Sequence, residues 1–292
     1  MLFDRAAVIG VGLIGGSLAV AARRRGLIRE VVGVGRSEAN LETARRRGLV
    51  DSTTSDIASI GAVDLVVLAI PVRSCAAVVR RMAAQLVPGT IVTDAGSTKQ
   101  SVVEEVEDAL PDGCVFVGAH PIAGSEQAGA AAAREDLFDD RVCVVTPTDA
   151  TPRAAVDAIT GLWRGVGARV REMTPSDHDR ALAWTSHLGH VLSYALARSL
   201  GDVARRGAAG KEGNLFDFAG PSLHDITRLA GGSVAMWRDI FLANNVAIAA
   251  GIDGFSEALL DLRDAIERGD EEKLEALLEI GLATRERIGS GE

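Results

Sequence analysis

Seven residues near the amino end, GVGLIGG (Gly10 to Gly16), constrain this chain more than any other stretch. They follow the apolar run AAVIG (Ala6 to Gly10), open an alanine-rich helical stretch, and hold the pattern GxGxxG at Gly10, Gly12 and Gly15. Glycines at that spacing make a tight turn, bring backbone close to a pyrophosphate, and let the helix pack against the strand, with the phosphates on the helix N-terminus. The pattern by itself is a weak signal. Placed after a strand and before a helix in a βαβ unit, it reads as a dinucleotide site rather than a structural glycine-rich turn, with Gly10, Gly12, Leu13, Ile14 and Gly15 as its residues.

Short β-branched runs then alternate with amphipathic helical stretches, the pattern of a parallel sheet covered on both faces. The strand candidates are Ala6 to Gly10, Glu30 to Gly35, Asp64 to Ile70, Thr90 to Gly96, Cys114 to His120 and Arg141 to Pro147. After about residue 170 the strand signal stops and long Ala/Leu-rich stretches take over. The fold class expected is α/β: a Rossmann-type doubly wound domain over residues 1–170, then an all-helical domain over 171–292. The helices expected in the second part are Thr174 to Leu200, opening on an N-cap, Met236 to Gly269 and Asp270 to Ile288, with a loop at Gly207 to Asn214. Helices this apolar have more surface to hide than one small core takes, so a homodimer through the helical domain is expected.

Composition narrows the class. A net charge of -9 argues against a nucleic-acid surface. The basic runs at Arg23 to Arg25 and Arg45 to Arg47 fall at predicted helix ends, where cations complement the dipole. Cys75, Cys114 and Cys143 lie far apart without metal-ligand spacing and read as thiols in a reducing cytoplasm. Neither a cleavable leader nor a membrane span is expected.

Several residues then carry candidate chemistry. The second strand should end in an acid if NAD is the cofactor, yet Gly35, Arg36 and Ser37 stand there. A guanidinium beside a hydroxyl suits a 2′-phosphate, which favours NADP; the alternative is that Arg36 stacks on adenine or faces solvent while NAD is used. DAGSTKQ (Asp94 to Gln100) sits at the carboxyl end of the fourth strand, the ligand edge of such a sheet; Ser97 and Thr98 could cap the next helix, face the ligand, or divide the two tasks. In GAHPIAGSEQAG (Gly118 to Gly129), His120 is locked by Pro121 and can share a proton near neutrality, while Glu126 could orient it, gate a pocket or be solvated. His187 and His190 lie three apart on one helix face and suit anion hydrogen bonding better than zinc; no metal site is expected. Arg228 is either paired with Asp225 or free to hold a carboxylate, and Arg238 lies in the same stretch.

Taken together, GVGLIGGS, DAGSTK, GAHPIAGSEQAG, TSHLGH and DITRLAGGSVAMWRDIFLANN occur in the order and spacing that resemble the prephenate and arogenate (cyclohexadienyl) dehydrogenases of tyrosine biosynthesis. The resemblance covers essentially the full length. It implies oxidative decarboxylation of prephenate to 4-hydroxyphenylpyruvate with hydride transfer to NAD(P), or the corresponding reaction of arogenate to tyrosine. It further implies that Ser97 and His120 act at the ring hydroxyl, that Arg228, His187, Glu126 and Trp237 bind substrate, and that the family's dimer forms through its helical part. The sequence departs from the family at Gly189, where a proline is common, and at Gly35-Arg36, where an acid is usual. Two rivals are a β-hydroxyacid or imine-reducing dehydrogenase, which would want a lysine acid/base in its helical half, and a non-catalytic NADP sensor of the same fold. No further regulatory domain is expected.

Overall fold

The computed structural model describes residues 1–125, 127–206 and 214–290. Glu126 and most of the expected Gly207 to Asn214 loop therefore lie outside the described residues. Contacts divide the chain into two compact units, Met1–Asn245 and Val246–Glu292.

The first unit is built on an eight-stranded sheet, β1 (Phe3–Ile9), β2 (Ile28–Val34), β3 (Ser52–Thr54), β4 (Leu65–Leu68), β5 (Ile91–Asp94), β6 (Val115–Pro121), β7 (Val142–Thr146) and β8 (Arg169–Glu172), in spatial order 3-2-1-4-5-6-7-8. All pairings are parallel except β6 with β7, whose register places His120 opposite Val144. Six strands match the expected runs. The two unexpected ones, STT and RVRE, are short, polar edge strands with little buried side chain to announce them.

Helices α1 (Leu13–Arg24), α2 (Glu38–Arg46) and α5 (Arg153–Gly165) bury residues in one apolar cluster on the sheet, around Leu18, Leu41 and Trp163. Helices α3 (Cys75–Met82) and α4 (Gln100–Glu107) bury theirs in a second cluster around Val79, Met82 and Val103. The doubly wound α/β architecture follows from this two-sided coverage. The three cysteines are free, and the basic runs end α1 and α2, where Arg23, Arg24 and Arg25 pair with Asp51, Glu135 and Asp139.

Past β8 the described chain is helical. Thr174 caps α6 (Pro175–Leu182), which runs through a π-helical turn (Ala183–His187) into α7 (Leu188–Arg205), so the expected helix is present with a widened turn inside it. α8 (Pro221–Thr227) and α9 (Val234–Ala243) follow. The helix expected from Met236 to Gly269 is broken at Asn244, after which α10 (Asn245–Arg268) begins. The second unit consists of α10 from Val246 onward and α11 (Glu271–Ser290), joined at Gly269, whose φ is +64°. It leaves Leu259, Leu260, Ile266, Leu278, Ile280 and Leu282 exposed. Among the described residues no helix is long and apolar enough to cross a membrane.

Candidate active site

The glycine loop has the form its spacing predicts. Gly10 sits at φ +96°, and a Cβ there would meet the Ala69 carbonyl oxygen at 2.3 Å. A Cβ on Gly15 would meet the Gly10 carbonyl oxygen at 2.2 Å, so neither position admits a side chain without displacing backbone. Gly12 instead faces open space and starts α1 with no side-chain cap. The first-turn N–H groups of α1, at Leu13 and Ile14, are therefore left for an incoming anion, while the side chains of both residues pack on the sheet core. The cradle fits a dinucleotide pyrophosphate.

Beyond β2, Ser37 caps α2 by accepting from the Asn40 N–H at 3.3 Å. Arg36 is exposed and, among the described residues, pairs with no carboxylate. Its guanidinium is left free just past the carboxyl end of β2.

The carboxyl ends of β5 and β6 carry a buried polar network. Asp94 and Lys99 form an ion pair with both side chains fully buried. Asp94 also accepts from the Gly96 N–H at 2.9 Å and the Ala119 N–H at 3.0 Å, which ties the end of β5 to the residue before His120. A buried charge pair of this kind requires such extra hydrogen bonds to offset its desolvation.

Of the alternatives the sequence left open for Ser97 and Thr98, capping is not taken up: neither side chain caps α4. The carboxylate of Asp179, on α6, takes that place: Oδ1 accepts from the Lys99 N–H at 2.8 Å and Oδ2 from the Gln100 N–H at 2.9 Å. Among the described residues the Ser97 side chain makes no hydrogen bond, and the buried Thr98 hydroxyl has no partner.

His120 lies inside β6 rather than on a loop, 8% exposed. Its Nδ1 is 2.8 Å from His178 Nε2, and His178 Nδ1 is 2.8 Å from Asp179 Oδ1. A carboxylate only accepts, so His178 donates from Nδ1 and offers a lone pair at Nε2. His120 must then donate from Nδ1, which leaves its Nε2 lone pair free. Protonation would break this order, and burial opposes it. Desolvation holds His120 well below its ordinary value, reinforced by the neighbouring His178, Lys99 and His187. Burial also lowers His178, against the pull of Asp179. The site thus presents a neutral, oriented imidazole lone pair.

On the helical side, His187 is buried in the π-helical turn with Nδ1 3.1 Å from the Asn244 amide nitrogen. Burial pushes it down to about 4, opposed by Asp179 and the Ser97 backbone. His190 takes a different partner, donating from Nδ1 to the Leu229 carbonyl oxygen at 3.2 Å and stacking on Trp237 at 3.5 Å between centroids. Trp237 also meets His187 edge-on at 6.3 Å. Tyr194, one turn on, donates to the Gly232 carbonyl oxygen at 3.2 Å, so this face of α7 organises the segment from Leu229 to Trp237. Arg228, at the head of that segment, is exposed and forms no ion pair with Asp225 or any other described carboxylate. Its free charge is one cause, after burial, of the lowered His190. Arg238 is instead paired with Asp239 at 2.8 Å.

The structure therefore joins His120 and His187 in one network, with the Ser97 backbone acting on the His187 ring, Trp237 edge-on to it and the Arg228 charge acting on His190. It also adds His178, Asp179, Asn244, Asp94 and Lys99, which sequence reasoning did not assign. No hydrogen bond joins Ser97 to His120 among the described residues; His178 is the partner instead.

Comparison with known proteins identifies the family. The family model of the prephenate dehydrogenase nucleotide-binding domain matches residues 18–172, and that of the prephenate dehydrogenase dimerization domain matches residues 174–280. Cyclohexadienyl dehydrogenase of Zymomonas mobilis is 35% identical over 94% of this chain and 92% of its own length. Prephenate dehydrogenase of Bacillus subtilis is 33% identical over 93% of this chain and 72% of its own. The crystal structure of A. aeolicus prephenate dehydrogenase with hydroxyphenyl propionate and NAD+ superposes with a TM-score of 0.91 at 32% identity, covering 98% of each chain. With family models matching residues 18–172 and 174–280 and relatives at 33–35% identity over most of its length, the chain belongs to the prephenate dehydrogenase family.

Proposed function

We propose that this protein is an NAD(P)-dependent dehydrogenase that converts prephenate to 4-hydroxyphenylpyruvate and carbon dioxide, with His120 as its base. The observation that carries this reading is the Asp179–His178–His120 chain, which leaves His120 Nε2 unprotonated at the carboxyl end of β6. A dinucleotide whose pyrophosphate is held by Gly10, Gly12 and Gly15 would supply the acceptor for the hydride of the ring carbon that bears the hydroxyl. As that C–H pair leaves, the hydroxyl becomes acidic and His120 Nε2 takes its proton. The carbon–carboxylate bond then breaks, its electron pair enters the ring, and His120 returns the proton to the phenolate oxygen. No net proton is gained or lost. General-base help of this kind is worth about 10²- to 10⁴-fold.

In this reading Ser97 fixes the hydroxyl, Arg228 holds a substrate carboxylate through its unpaired guanidinium, and His187 and Trp237 line the substrate side; Glu126, outside the described residues, keeps its substrate-binding role on the family resemblance alone. The free Arg36 beside Ser37 favours NADP over NAD. The exposed apolar residues of the second unit serve a homodimer, and three unpaired thiols suit a cytoplasmic enzyme.

The test is the initial rate of reduced-cofactor absorbance with prephenate and arogenate, each under NADP and NAD. Turnover of prephenate supports the reading, exclusive turnover of arogenate replaces the substrate, and no turnover in any combination refutes it. His120→Asn should cut kcat heavily with KM nearly unchanged.

A further inference from the structure

Asn244 interrupts what hydropathy reads as one continuous helix, and its buried side chain faces inward. The amide nitrogen lies 2.8 Å from the Asp179 carbonyl oxygen and 3.1 Å from His187 Nδ1. A carbonyl oxygen only accepts, so the amide's NH2 end is the one that points there, and the orientation of the group is set by its partner. One hydrogen goes to the carbonyl; the other is directed at the imidazole. Because NH2 cannot accept, His187 Nδ1 must offer a lone pair, which places the ring proton on Nε2. That Nε2 is buried and has no hydrogen-bond partner of good geometry in the described structure. The Ser97 backbone carbonyl raises the proton affinity of the same ring and so faces its N–H, which sets the ring toward the ligand edge of the sheet.

We infer that Asn244 is a positioning residue: by donating to Nδ1 it holds His187 as the neutral Nε2–H tautomer, a ready hydrogen-bond donor for an oxygen of the substrate. The same amide is anchored on Asp179, the residue that orients His178 and, through it, His120. One short polar hinge thus ties together two neutral histidines of opposite sense. His120 presents a lone pair and His187 presents an N–H. A buried donor whose one protein acceptor, the Ser97 backbone carbonyl, lies outside good hydrogen-bond geometry is costly to maintain, which points to a better acceptor supplied by a ligand.

The ligand's identity rests on the proposed function, whereas the tautomer does not, and the experiment separates them. The full chain is labelled with ring-15N histidine, and two-bond 1H–15N spectra are recorded at neutral pH without substrate. The chain has only five histidines, and the His187 signals are assigned by their loss in His187→Gln. The expected result is an unprotonated Nδ1 and a protonated Nε2. In Asn244→Ala the ring should shift toward the Nδ1–H form, with substrate KM raised about tenfold, the worth of one neutral hydrogen bond, and cofactor KM unchanged. A purely structural Asn244 would lower Tm while leaving tautomer and KM alone, and that result overturns the inference. So does an Nδ1–H signal in the unaltered protein, which decides the matter even if the variant does not fold. The expected tautomer without turnover of prephenate or arogenate would sink the proposed function and leave the assignment of His187 standing.

Discussion

Replacing His178 by phenylalanine isolates what the middle of the histidine chain contributes. The phenyl ring keeps the edge-on packing that His178 makes with His120, at 5.1 Å between centroids, and removes both hydrogen bonds. Asp179 retains its two backbone donors from Lys99 and Gln100, so the start of α4 stays capped. The damage concentrates on His120. In its productive form the ring carries the proton on Nδ1, which then has no acceptor inside the protein, a deficit of about 1–3 kcal/mol for a buried donor. The competing form moves the proton to Nε2, the atom that must receive the substrate's proton. Losing a preference of that size lowers the productive population, and hence kcat, by about 10- to 100-fold. Both KM values should hold, since neither the glycine cradle nor Arg228 is touched. A second signature follows from charge. His178 is among the neighbours that oppose protonation of His120, so its removal should move the acid limb of kcat to higher pH. The assay is steady-state kinetics across pH with Tm measured in parallel. A variant that keeps its Tm and a kcat within about threefold of the parent would refute the chain of tautomers.

Three further outcomes are expected. Arg36→Ala should lower kcat/KM for NADP by about 10- to 100-fold, a charge-assisted contact being worth roughly 1.5–3 kcal/mol, and leave NAD nearly unchanged; equal losses with both cofactors would place the guanidinium elsewhere. Arg228→Gln should raise substrate KM without changing cofactor KM, and a cofactor effect would show the residue misassigned. Acid should destabilise the fold beginning near the ordinary imidazole range: His187 stays neutral in the folded state down to about 4, whereas the unfolded chain takes up its proton at 6.5. Stability from this group is complete above 6.5 and falls with pH to a loss of about 3 kcal/mol, with His120 and His178 adding in the same direction. Urea midpoints at about pH 7 and about pH 5 read this directly, and equal midpoints would contradict buried neutral histidines.

What the sequence makes legible here is what short-range physics encodes. The glycine loop is readable because each glycine answers a steric demand from backbone close by in space, as the Cβ contacts of Gly10 and Gly15 show. The six central strands are readable because burial on both faces requires continuous apolar runs. STT and RVRE escape because edge strands need few apolar residues, and the antiparallel turn of β7 escapes because its direction leaves no local signal. The active-site network escapes for a different reason. Asp179 caps a helix that begins 79 positions away, and His178 meets a histidine 58 positions away, so their roles exist only after folding. One signal was nevertheless present. The buried residues of α6 are Pro175, His178, Asp179 and Leu182, spaced as the stripe an amphipathic helix turns toward its core. A histidine and an aspartate occupy the two middle positions of that stripe, where apolar residues would pack without the need for partners. Polar groups survive there only if other buried groups satisfy them, and the groups that do so are the backbone of Lys99 and Gln100 and the ring of His120. The same logic covers Asn244, a polar residue in the otherwise apolar continuation of α9, whose partners are Asp179 and His187. The His178–Asp179 pair and Asn244, violations of the local hydrophobic pattern, lead to hydrogen bonds that set the proton on His120 and His187, which is why the pattern fails where the chemistry is placed.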